Sequence, residues 1–417
     1  MAEVRIACPR FVAATLASLA LTTPLSAAPQ GAPPAPKPTA PAAPAAAPPA
    51  AQIERPLDPN AIDRYEPKLY DVKYEVVISS FPSSDRNAAI NLADTPFVLP
   101  LIMRGPFSKI DPTSLQPQLY LDNKLDTSLT SRAKLDENQE LGMTFAVIPL
   151  PSFAGTTLRW NVSWRAQVWS CRINEDVLAT KTWPREWPPE VREALKPQKG
   201  IESDQEFAKA IVESAVGSKL RAMSPWHAAK EIIRAVAIGF KSVNNDGWER
   251  RAQGRIIGLK MEGARESVRL ARGSNHDLVA ACVAALRAAE IPARPVVGFV
   301  EESRRDAGGK RRKQTLLDSW AEVFVPDAGW VPFDPEEIRG SAVRQLKVGA
   351  PWPGLGNMKD LNERVPIAWC FAPQGYSGSD FASLWGWRPL GVVNSWTLEA
   401  ALQLQVTSRG KGIDDPN

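Results

Sequence analysis

The chain has 417 residues, of which 44% are hydrophobic and 23% are charged, and its formal net charge at pH 7 is +4. This length allows two domains with accessory segments, and the composition is ordinary for a soluble globular protein. The weak positive charge gives no basis for contact with phosphate backbones, so we expect no nucleic-acid partner.

Residues 1–27 have the pattern of a secretory signal peptide. Arg5 and Arg10 supply a positive start, residues 11–25 form an apolar run, and residues 26–28 are small enough for cleavage. The run is short and rich in Ala, Ser and Thr for a membrane-spanning helix. We therefore expect an exported protein (periplasmic, secreted or associated with the cell envelope) that has no transmembrane segment after cleavage. Retention of the segment as an uncleaved anchor is the alternative.

A linker is predicted over residues 28–62. Residues 28–51 are almost only Ala and Pro, with nine prolines from Pro29 to Pro49. Such a segment cannot bury apolar surface and favours extended polyproline II, which makes a semi-rigid spacer. A plain disordered leader is an equally good interpretation.

Residues 63–182 are predicted to form an antiparallel β-sandwich domain, and residues 183–200 a second linker. Apolar side chains alternate with polar ones along two stretches, and short apolar runs between Pro, Gly and Asp-Asn turns separate these stretches. Period-two alternation with frequent turns is typical of β-sandwiches. The alternating residues are Tyr70, Val72, Tyr74, Val76 and Ile78, then Leu158, Trp160, Val162 and Trp164.

Helical patterns begin near residue 201, where we place a core domain over residues 201–375, followed by a C-terminal tail over residues 376–417. Ser203 and Glu206 have the spacing of a capping box. Ser224 followed by Pro225 predicts the start of a second helix, because serine caps and proline suits the first turn.

The stretch from Arg272 to Pro335 carries the most specific pattern in the chain. It reads as a glycine turn, a helix, Ile-Pro-Ala-Arg at 291–294, a strand, a basic loop and a hairpin. Ser274 is placed to cap the helix, with Asp277 three residues later. Apolar residues at three- and four-residue spacing predict one buried helix face. These residues are Leu278, Ala281, Cys282, Ala285 and Leu286.

This order of motifs resembles the core of the transglutaminase-like superfamily, which shares its layout with papain-like cysteine peptidases. The resemblance implies an α+β fold, with a transglutaminase-like (papain-like) core preceded by an antiparallel β-sandwich domain. In that family a cysteine opens the helix, a histidine lies two residues before a Trp-x-Glu motif, and an aspartate follows a phenylalanine. Those positions fall on Asn275, Asp318 and Asp334, with Trp320 and Glu322 forming the Trp-x-Glu motif.

The family's thiol chemistry needs a cysteine activated by the helix N-terminus and a histidine that takes its proton. Asn275 has no ionisable group, and Asp318 cannot replace the imidazole. We therefore expect no functional catalytic residue, and a pseudoenzyme that binds protein, peptide or cell-envelope polymer through the remnant cleft. The candidate binding residues are Asn275, His276, Asp277, Asp318, Trp320 and Asp334.

Two alternatives remain open. One is an enzyme, either of the transglutaminase or protease class with displaced catalytic residues or a carboxylate-based hydrolase using Asp318 and Asp334. In the first case Cys282 is a poor candidate, because six residues after His276 it points roughly 240° away around the helix. The other alternative is a scaffold whose cleft binds nothing.

No cofactor is expected, because nucleotide-binding and metalloprotease motifs are absent from the sequence. The oxygens of Asn275, Asp318 and Asp334 would give a thin shell for Ca²⁺, which usually takes six to eight oxygen ligands. The sequence therefore predicts no metal site.

Overall fold

The structure is a computed structural model of the whole chain. It divides the chain into two units, Met1–Glu54 and Arg55–Asn417, and all elements below belong to the second. The predicted signal peptide and most of the predicted first linker lie outside the described residues. The described residues are 57–80, 97–138, 141–148, 157–245, 247–250, 256–305, 309, 311–372 and 396–408.

The N-terminal part of this unit is antiparallel β structure. Strand β1 pairs along its length with β8, which also pairs with β4, while β7 pairs with β2 and β6 in a separate three-stranded sheet. The elements are β1 Ile62–Ser80, β2 Phe97–Leu101, β3 Arg104–Gly105, β4 Ser108–Leu121, β5 Lys124–Leu125, α1 Thr127–Thr130, β6 Lys134–Asn138, β7 Met143–Ile148, β8 Thr157–Ile173 and α2 Glu175–Ala179.

The period-two alternation predicted from the sequence is confirmed in this sheet. Val72 lies opposite Trp164, and Val76 lies opposite Trp160, and all four side chains are buried. Side chains at alternate positions of paired strands point to one face, so the two stretches together build an apolar surface. The antiparallel β structure is thus as predicted, whereas its assembly into a sandwich remains a prediction.

The helices follow as a group. Ser224 caps α4 by accepting a hydrogen bond from the His227 amide, with Pro225 in the first turn as predicted. The capping box predicted at Ser203 is wrong. Ser203 is buried in a turn in which its amide donates to the Ile201 carbonyl, so the helix begins three residues later. The helices are α3 Glu206–Ala215, α4 Pro225–Gly239, α5 Ala264–Leu270, α6 Asn275–Ala288 and α7 Pro335–Gly340.

A second antiparallel sheet lies beside the helices, in the order β15-β14-β13-β16. Strands β10, β11 and β17 instead extend the sheet of β1, so distant parts of the chain share one sheet. The strands are β9 Ser242–Asn245, β10 Trp248–Arg250, β11 Ile256–Leu259, β12 Arg272–Ser274, β13 Ala293–Arg305, β14 Arg311–Val325, β15 Gly329–Phe333, β16 Arg364–Ala368 and β17 Trp396–Ser408.

Helix α6 is the centre of the core. It contacts α3, α4 and α5 on one side and β13 and β14 on the other. Every residue from Asn275 to Arg287 is buried, so the helix is enclosed on all faces rather than on the single face that the spacing predicted. A helix surrounded in this way holds its first residues rigidly against β14.

The domain boundaries predicted within residues 55–417 remain predictions. Four short 3₁₀ helices connect the larger elements, and one of them lies inside the predicted linker over residues 183–200. In the described ranges, no helix combines the length and the apolar composition needed to cross a bilayer. The 3₁₀ helices are Pro189–Leu195, Gly217–Ala222, Val343–Gln345 and Lys359–Glu363.

Candidate functional site

The start of α6 has a complete capping box, as the sequence predicts. The Asp277 amide donates to Ser274 Oγ (3.1 Å), and the Ser274 amide donates to Asp277 Oδ2 (2.8 Å). Reciprocal bonds of this kind satisfy amide groups that a helix N-terminus otherwise leaves unpaired. Asn275 is consequently fixed as the first residue of the helix.

Asn275 faces β14 and is occupied there as a hydrogen-bond donor. Its Nδ2 atom donates to Asp318 Oδ1 (2.6 Å) and to the Ser319 carbonyl oxygen (3.0 Å). The residue is 3% exposed, and its Oδ1 atom is buried without a hydrogen-bond partner among the described residues. The side chain of Asn275 therefore ties the helix to the sheet.

His276 is enclosed by protein and is fully buried. Its Nδ1 atom shares a hydrogen bond with Ser319 Oγ (2.7 Å), and its ring meets the Trp248 ring edge-on at 4.6 Å. Gly247 has a φ of +77°, and a Cβ atom there would lie 2.1 Å from the imidazole Cδ2 atom. The imidazole thus packs against a stretch of backbone that only glycine allows to come so close.

Asp277 serves the scaffold. Besides its bonds with Ser274, its Oδ1 atom accepts from the Glu262 amide (2.8 Å) and the Gly263 amide (2.9 Å). Burial raises the pKa of this carboxyl group, although the bonds from Ser274, Gly263 and Glu262 work in the opposite direction. In these contacts the Asp277 carboxylate accepts hydrogen bonds only from backbone amides and from Ser274, its capping partner.

Asp318 is half-buried, unlike its neighbours. Burial, and then repulsion by Asp334, raise the pKa of its carboxyl group from 3.8 to about 6, while Arg364 and the bonds from Ser319 and Asn275 oppose that rise. A carboxyl group with such a pKa changes charge in a mildly acidic medium.

Asp334 has a different environment. Its Oδ1 atom accepts from the amides of Glu336 (3.0 Å) and Glu337 (3.2 Å) and thereby caps α7. Its Oδ2 atom accepts from Arg364 Nη1 (2.8 Å), and the same guanidinium also bonds Asp360. Asp334 is thus a buried, ion-paired helix cap.

Trp320 is also a core residue. It is buried, and the Arg364 guanidinium lies 5.7 Å from its ring centroid. A Cβ atom at Gly298 would lie 2.6 Å from Trp320 Cη2, so the indole uses the space that this glycine leaves on the neighbouring strand. The indole therefore packs between strands.

The structure brings Asn275 and Asp318 together, and it connects Asp334 to Asp318 through their mutual repulsion and through Arg364. Of the six candidate binding residues, Asp318 is half-buried and the other five are buried. In the described part of the chain, no group of three or more His, Cys, Asp and Glu side chains has the arrangement of a metal site.

Ser319 and Arg364 are site residues that the sequence patterns did not indicate. Ser319 contacts both Asn275 and His276, although alternation along β14 places its side chain opposite to those of Asp318 and Trp320. Arg364 begins β16, thirty residues after Asp334. A charged residue at the start of an apolar strand is the signal that marks it.

Cys282 lies in the interior of α6 and is fully buried. Burial raises the pKa of its thiol, which keeps it in the unreactive protonated form. The other cysteines in the described ranges, Cys171 and Cys370, are also free and buried.

Comparisons with known proteins agree with this core. Residues 221–335 match the family model described as the transglutaminase-like superfamily. A comparison with curated proteins gave no match.

Solved structures that resemble the chain include a putative cysteine protease from Cytophaga hutchinsonii (11% identity, 84% of this chain and 94% of that one, TM-score 0.47). They also include the periplasmic domain of TgpA from Pseudomonas aeruginosa bound to ethylmercury (13% identity, 67% of this chain and 94% of that one, TM-score 0.27). Red sea bream transglutaminase is a third (12% identity, 58% of this chain and 48% of that one, TM-score 0.24). Residues 221–335, which contain Asn275, Asp318 and Asp334, are thus a core of the transglutaminase-like superfamily.

Proposed function

We propose that this chain is a transglutaminase-like protein without thiol catalysis, a pseudoenzyme that binds protein, peptide or cell-envelope material. The observation that carries the proposal is the state of Asn275. Its amide is buried and bonded to Asp318 and to the Ser319 carbonyl, where the family's chemistry needs an ionised thiol. An amide nitrogen held in this way has no lone pair to offer a substrate.

The remaining parts of the site support the same conclusion. His276 is enclosed and bonded to Ser319, and Cys282 is buried in the helix interior with a raised pKa. A thiol and an imidazole must share a hydrogen bond, directly or nearly so, to act as a nucleophile and base. Both groups are fully buried, so neither meets a substrate from solvent.

The binding role is proposed for the rim of the remnant cleft, where Asp318 reaches solvent while Asn275, Trp320 and Asp334 stay behind it. A partner that contacts Asp318 would meet a carboxylate above about pH 6 and a neutral hydroxyl donor below it. This gives the rim a preference for partners that carry a hydrogen-bond donor or a cation at neutral pH.

The test is a direct assay of the purified protein. We expect no incorporation of a fluorescent primary amine into a glutamine-containing protein, no deamidation and no peptide cleavage, because the nucleophile and its base are both replaced. Turnover that Cys282→Ala abolishes would overturn the proposal. Turnover that Cys282→Ala leaves intact would also contradict the pseudoenzyme proposal and would favour a carboxylate-based hydrolase instead.

A double variant, Asn275→Cys with Asp318→His, restores the residue types of the family. If the frame is intact, we expect a cysteine that reacts with iodoacetamide at least tenfold faster than Cys282 does in the unaltered protein, because the helix N-terminus and imidazole stabilise thiolate. The matched control is Asn275→Cys alone, which has the helix N-terminus without the base. Equal labelling rates in both variants would show that position 318 cannot serve position 275.

A carboxylate-based hydrolase is the second candidate, and the environment of Asp318 favours it. One carboxyl group with a raised pKa next to another that pairs with Arg364 is the arrangement that supplies an acid and a base. Such an enzyme would hydrolyse chromogenic glycosides or esters at a rate that falls above about pH 6 and is abolished in Asp318→Asn. Hydrolysis that Asp318→Asn does not change would exclude it.

We also propose that the chain is exported. The support is the signal-peptide pattern of residues 1–27, which lie outside the described residues. N-terminal sequencing of protein isolated from the cell envelope or periplasm tests this, with a new N-terminus near Ala27 expected. Recovery of intact chain starting at residue 1 from the membrane fraction would instead favour the retained anchor.

A further inference from the structure

A cavity of about 350 Å³ lies between the beginning of β1, the 3₁₀ helix Lys359–Glu363 and the start of α7. Glu66, Lys68, Glu337 and Asn362 are among the residues that line it. The volume is at the lower end of the range typical for small-ligand sites. Asp360 connects it to the remnant site, because this side chain lines the cavity and bonds Arg364, which in turn bonds Asp334.

Three of the charged side chains around the cavity, those of Lys68, Glu363 and Asp360, lie in ion pairs. Lys68 pairs with Glu363 (2.7 Å), and Asp360 Oδ2 accepts from Arg364 Nη2 (2.7 Å). Neither Glu66 nor Glu337 forms an ion pair among the described residues, although Arg364 attracts Glu337 at longer range. These two carboxylates outnumber Lys359, whose ammonium group also has no acidic partner there, so the uncompensated charge around the cavity is negative.

A nearly buried acceptor lies in the same wall. Asn362 is 3% exposed, its Nδ2 atom donates to the Glu66 carbonyl (2.7 Å), and its own carbonyl accepts from Tyr70 (3.1 Å). Its Oδ1 atom has no donor in the described part of the chain. A buried amide that has used its donor side and not its acceptor side favours a ligand that donates hydrogen bonds.

The carboxyl group of Glu337 is repelled by neighbouring acidic side chains. Partial burial, and then repulsion by Asp334 and Asp360, raise the pKa of its carboxyl group. A cation placed beside Glu337 would relieve that repulsion, whereas an anion would increase it.

We propose that this cavity binds an organic cation whose guanidinium or ammonium group donates hydrogen bonds to Glu337 and to Asn362. Charge-assisted bonds of that type are the strong ones in protein recognition. Among the described lining residues, the acceptors of Glu66, Glu337 and Asn362 face only two unused donors, Lys359 and the amide of Asn357, so the lining suits a cationic donor better than a phosphate or a dicarboxylate. The site lies outside the remnant cleft, and the inference holds whether or not the core is catalytic.

Calorimetric titration of the full chain with agmatine tests this proposal, because the probe carries a guanidinium at one end and an ammonium at the other. We expect saturable binding with a dissociation constant of about 1 mM or tighter, and none with glutarate. Glu337→Gln should weaken agmatine binding about five- to tenfold through the loss of one charge-assisted contact. Lys359→Gln should strengthen it about twofold by removing a repelling charge.

The matched control is Glu137→Gln, which removes the same charge from an exposed position on β6 and should leave the affinity unchanged. No agmatine binding, tighter binding of glutarate, or equal weakening by Glu137→Gln and Glu337→Gln would each overturn the proposal. Because Asp334 and Asp360 repel Glu337, the unfolding midpoint of Glu337→Gln in urea should equal or slightly exceed that of the unaltered chain, so weaker agmatine binding would not come from a loss of folding. None of these measurements depends on thiol turnover, so they fail or succeed separately from the pseudoenzyme proposal.

Discussion

Two aspartates lie at the N-terminus of α6 and differ in what surrounds them. Asp277 accepts four hydrogen bonds, from the Glu262 and Gly263 amides and from the amide and hydroxyl of Ser274. Asp318 accepts two, from Asn275 Nδ2 and from the Ser319 amide, and it is repelled by Asp334. Burial raises the pKa of both carboxyl groups.

The start of α6 therefore has two parts. The structural half is the capping box around Asp277, and the other half is the environment of Asp318, whose carboxyl group can still change its protonation. Around Asp277, local donors satisfy the carboxylate completely, so its removal leaves backbone amides unpaired. Around Asp318, like charge and incomplete bonding leave a carboxyl group whose protonation responds to the medium. Four variants test how far this division extends.

Removal of Arg364, which lies on the Asp318 side of the site, should have the largest effect on stability. In Arg364→Met the buried carboxylate of Asp334 loses its ion-pair partner, which typically costs about 3–5 kcal/mol in the free energy of unfolding. Urea denaturation measures this loss. The control is Arg269→Met, which breaks an exposed, solvent-screened pair with Glu266 and should cost far less than Arg364→Met. If both variants cost the same, the network around Asp334 contributes no more than a surface pair.

Substitution of the structural aspartate comes next. Asp277→Asn replaces an oxygen that accepts amide bonds with a donor nitrogen, and we expect a loss of about 2–3 kcal/mol in the free energy of unfolding. Asp318→Asn is the matched control at the other aspartate, because its remaining oxygen can still accept from Asn275 and Ser319. Equal destabilisation by the two variants would remove the distinction between them.

The structural half is also the half that the sequence predicts well. Ser274 and Asp277 are three residues apart, and a capping box is a local pattern that needs no knowledge of the rest of the fold. The contact between Asn275 and Asp318 was predictable too, because the motifs at 291–294 and 320–322 fix the spacing without a gap.

The residues that complete the other half were not predictable in this way. Arg364 reaches Asp334 because β16 pairs with β13 at the far edge of the sheet, and Trp248 covers His276 from a strand that joins the sheet of β1. Pairing between strands distant in sequence has no local signature. The capping pattern at Ser203 failed for a local reason, because its amide donates to the Ile201 carbonyl in a turn and the helix begins at Glu206.

The pH dependence of stability sharpens the comparison further. Because the pKa of Asp318 in the folded protein is about 6, above its ordinary value of 3.8, the folded state holds this proton more tightly than the unfolded state. The associated stability is fully present below about pH 4 and is lost as the pH rises through about 6.

The measurement is the free energy of unfolding of the unaltered protein minus that of Asp318→Asn at each pH. A two-unit shift corresponds to at most about 3 kcal/mol, and partial solvation of the side chain reduces the expected fall in this difference to about 1–2 kcal/mol. A difference that is constant between pH 4 and pH 6.5 would mean that Asp318 titrates as an ordinary surface carboxyl group.

The smallest effect is expected inside the same helix, at Cys282. This thiol is surrounded by the helices and strands that enclose α6, and within the described part of the chain no hydrogen bond or ion pair of its own holds it there. Cys282→Ala removes one sulfur atom from the core, so we expect a loss of about 1 kcal/mol in the free energy of unfolding and no change in any binding activity.

In the folded protein the thiol should react with iodoacetamide only as fast as the chain unfolds, because burial both excludes the reagent and raises the pKa of the thiol. Labelling in increasing urea distinguishes the two states, since the rate should rise in parallel with the unfolded fraction. Fast labelling without denaturant would place a reactive thiol two turns from Asn275, and the assignment of α6 as a wholly structural helix beyond its first turn would then be wrong.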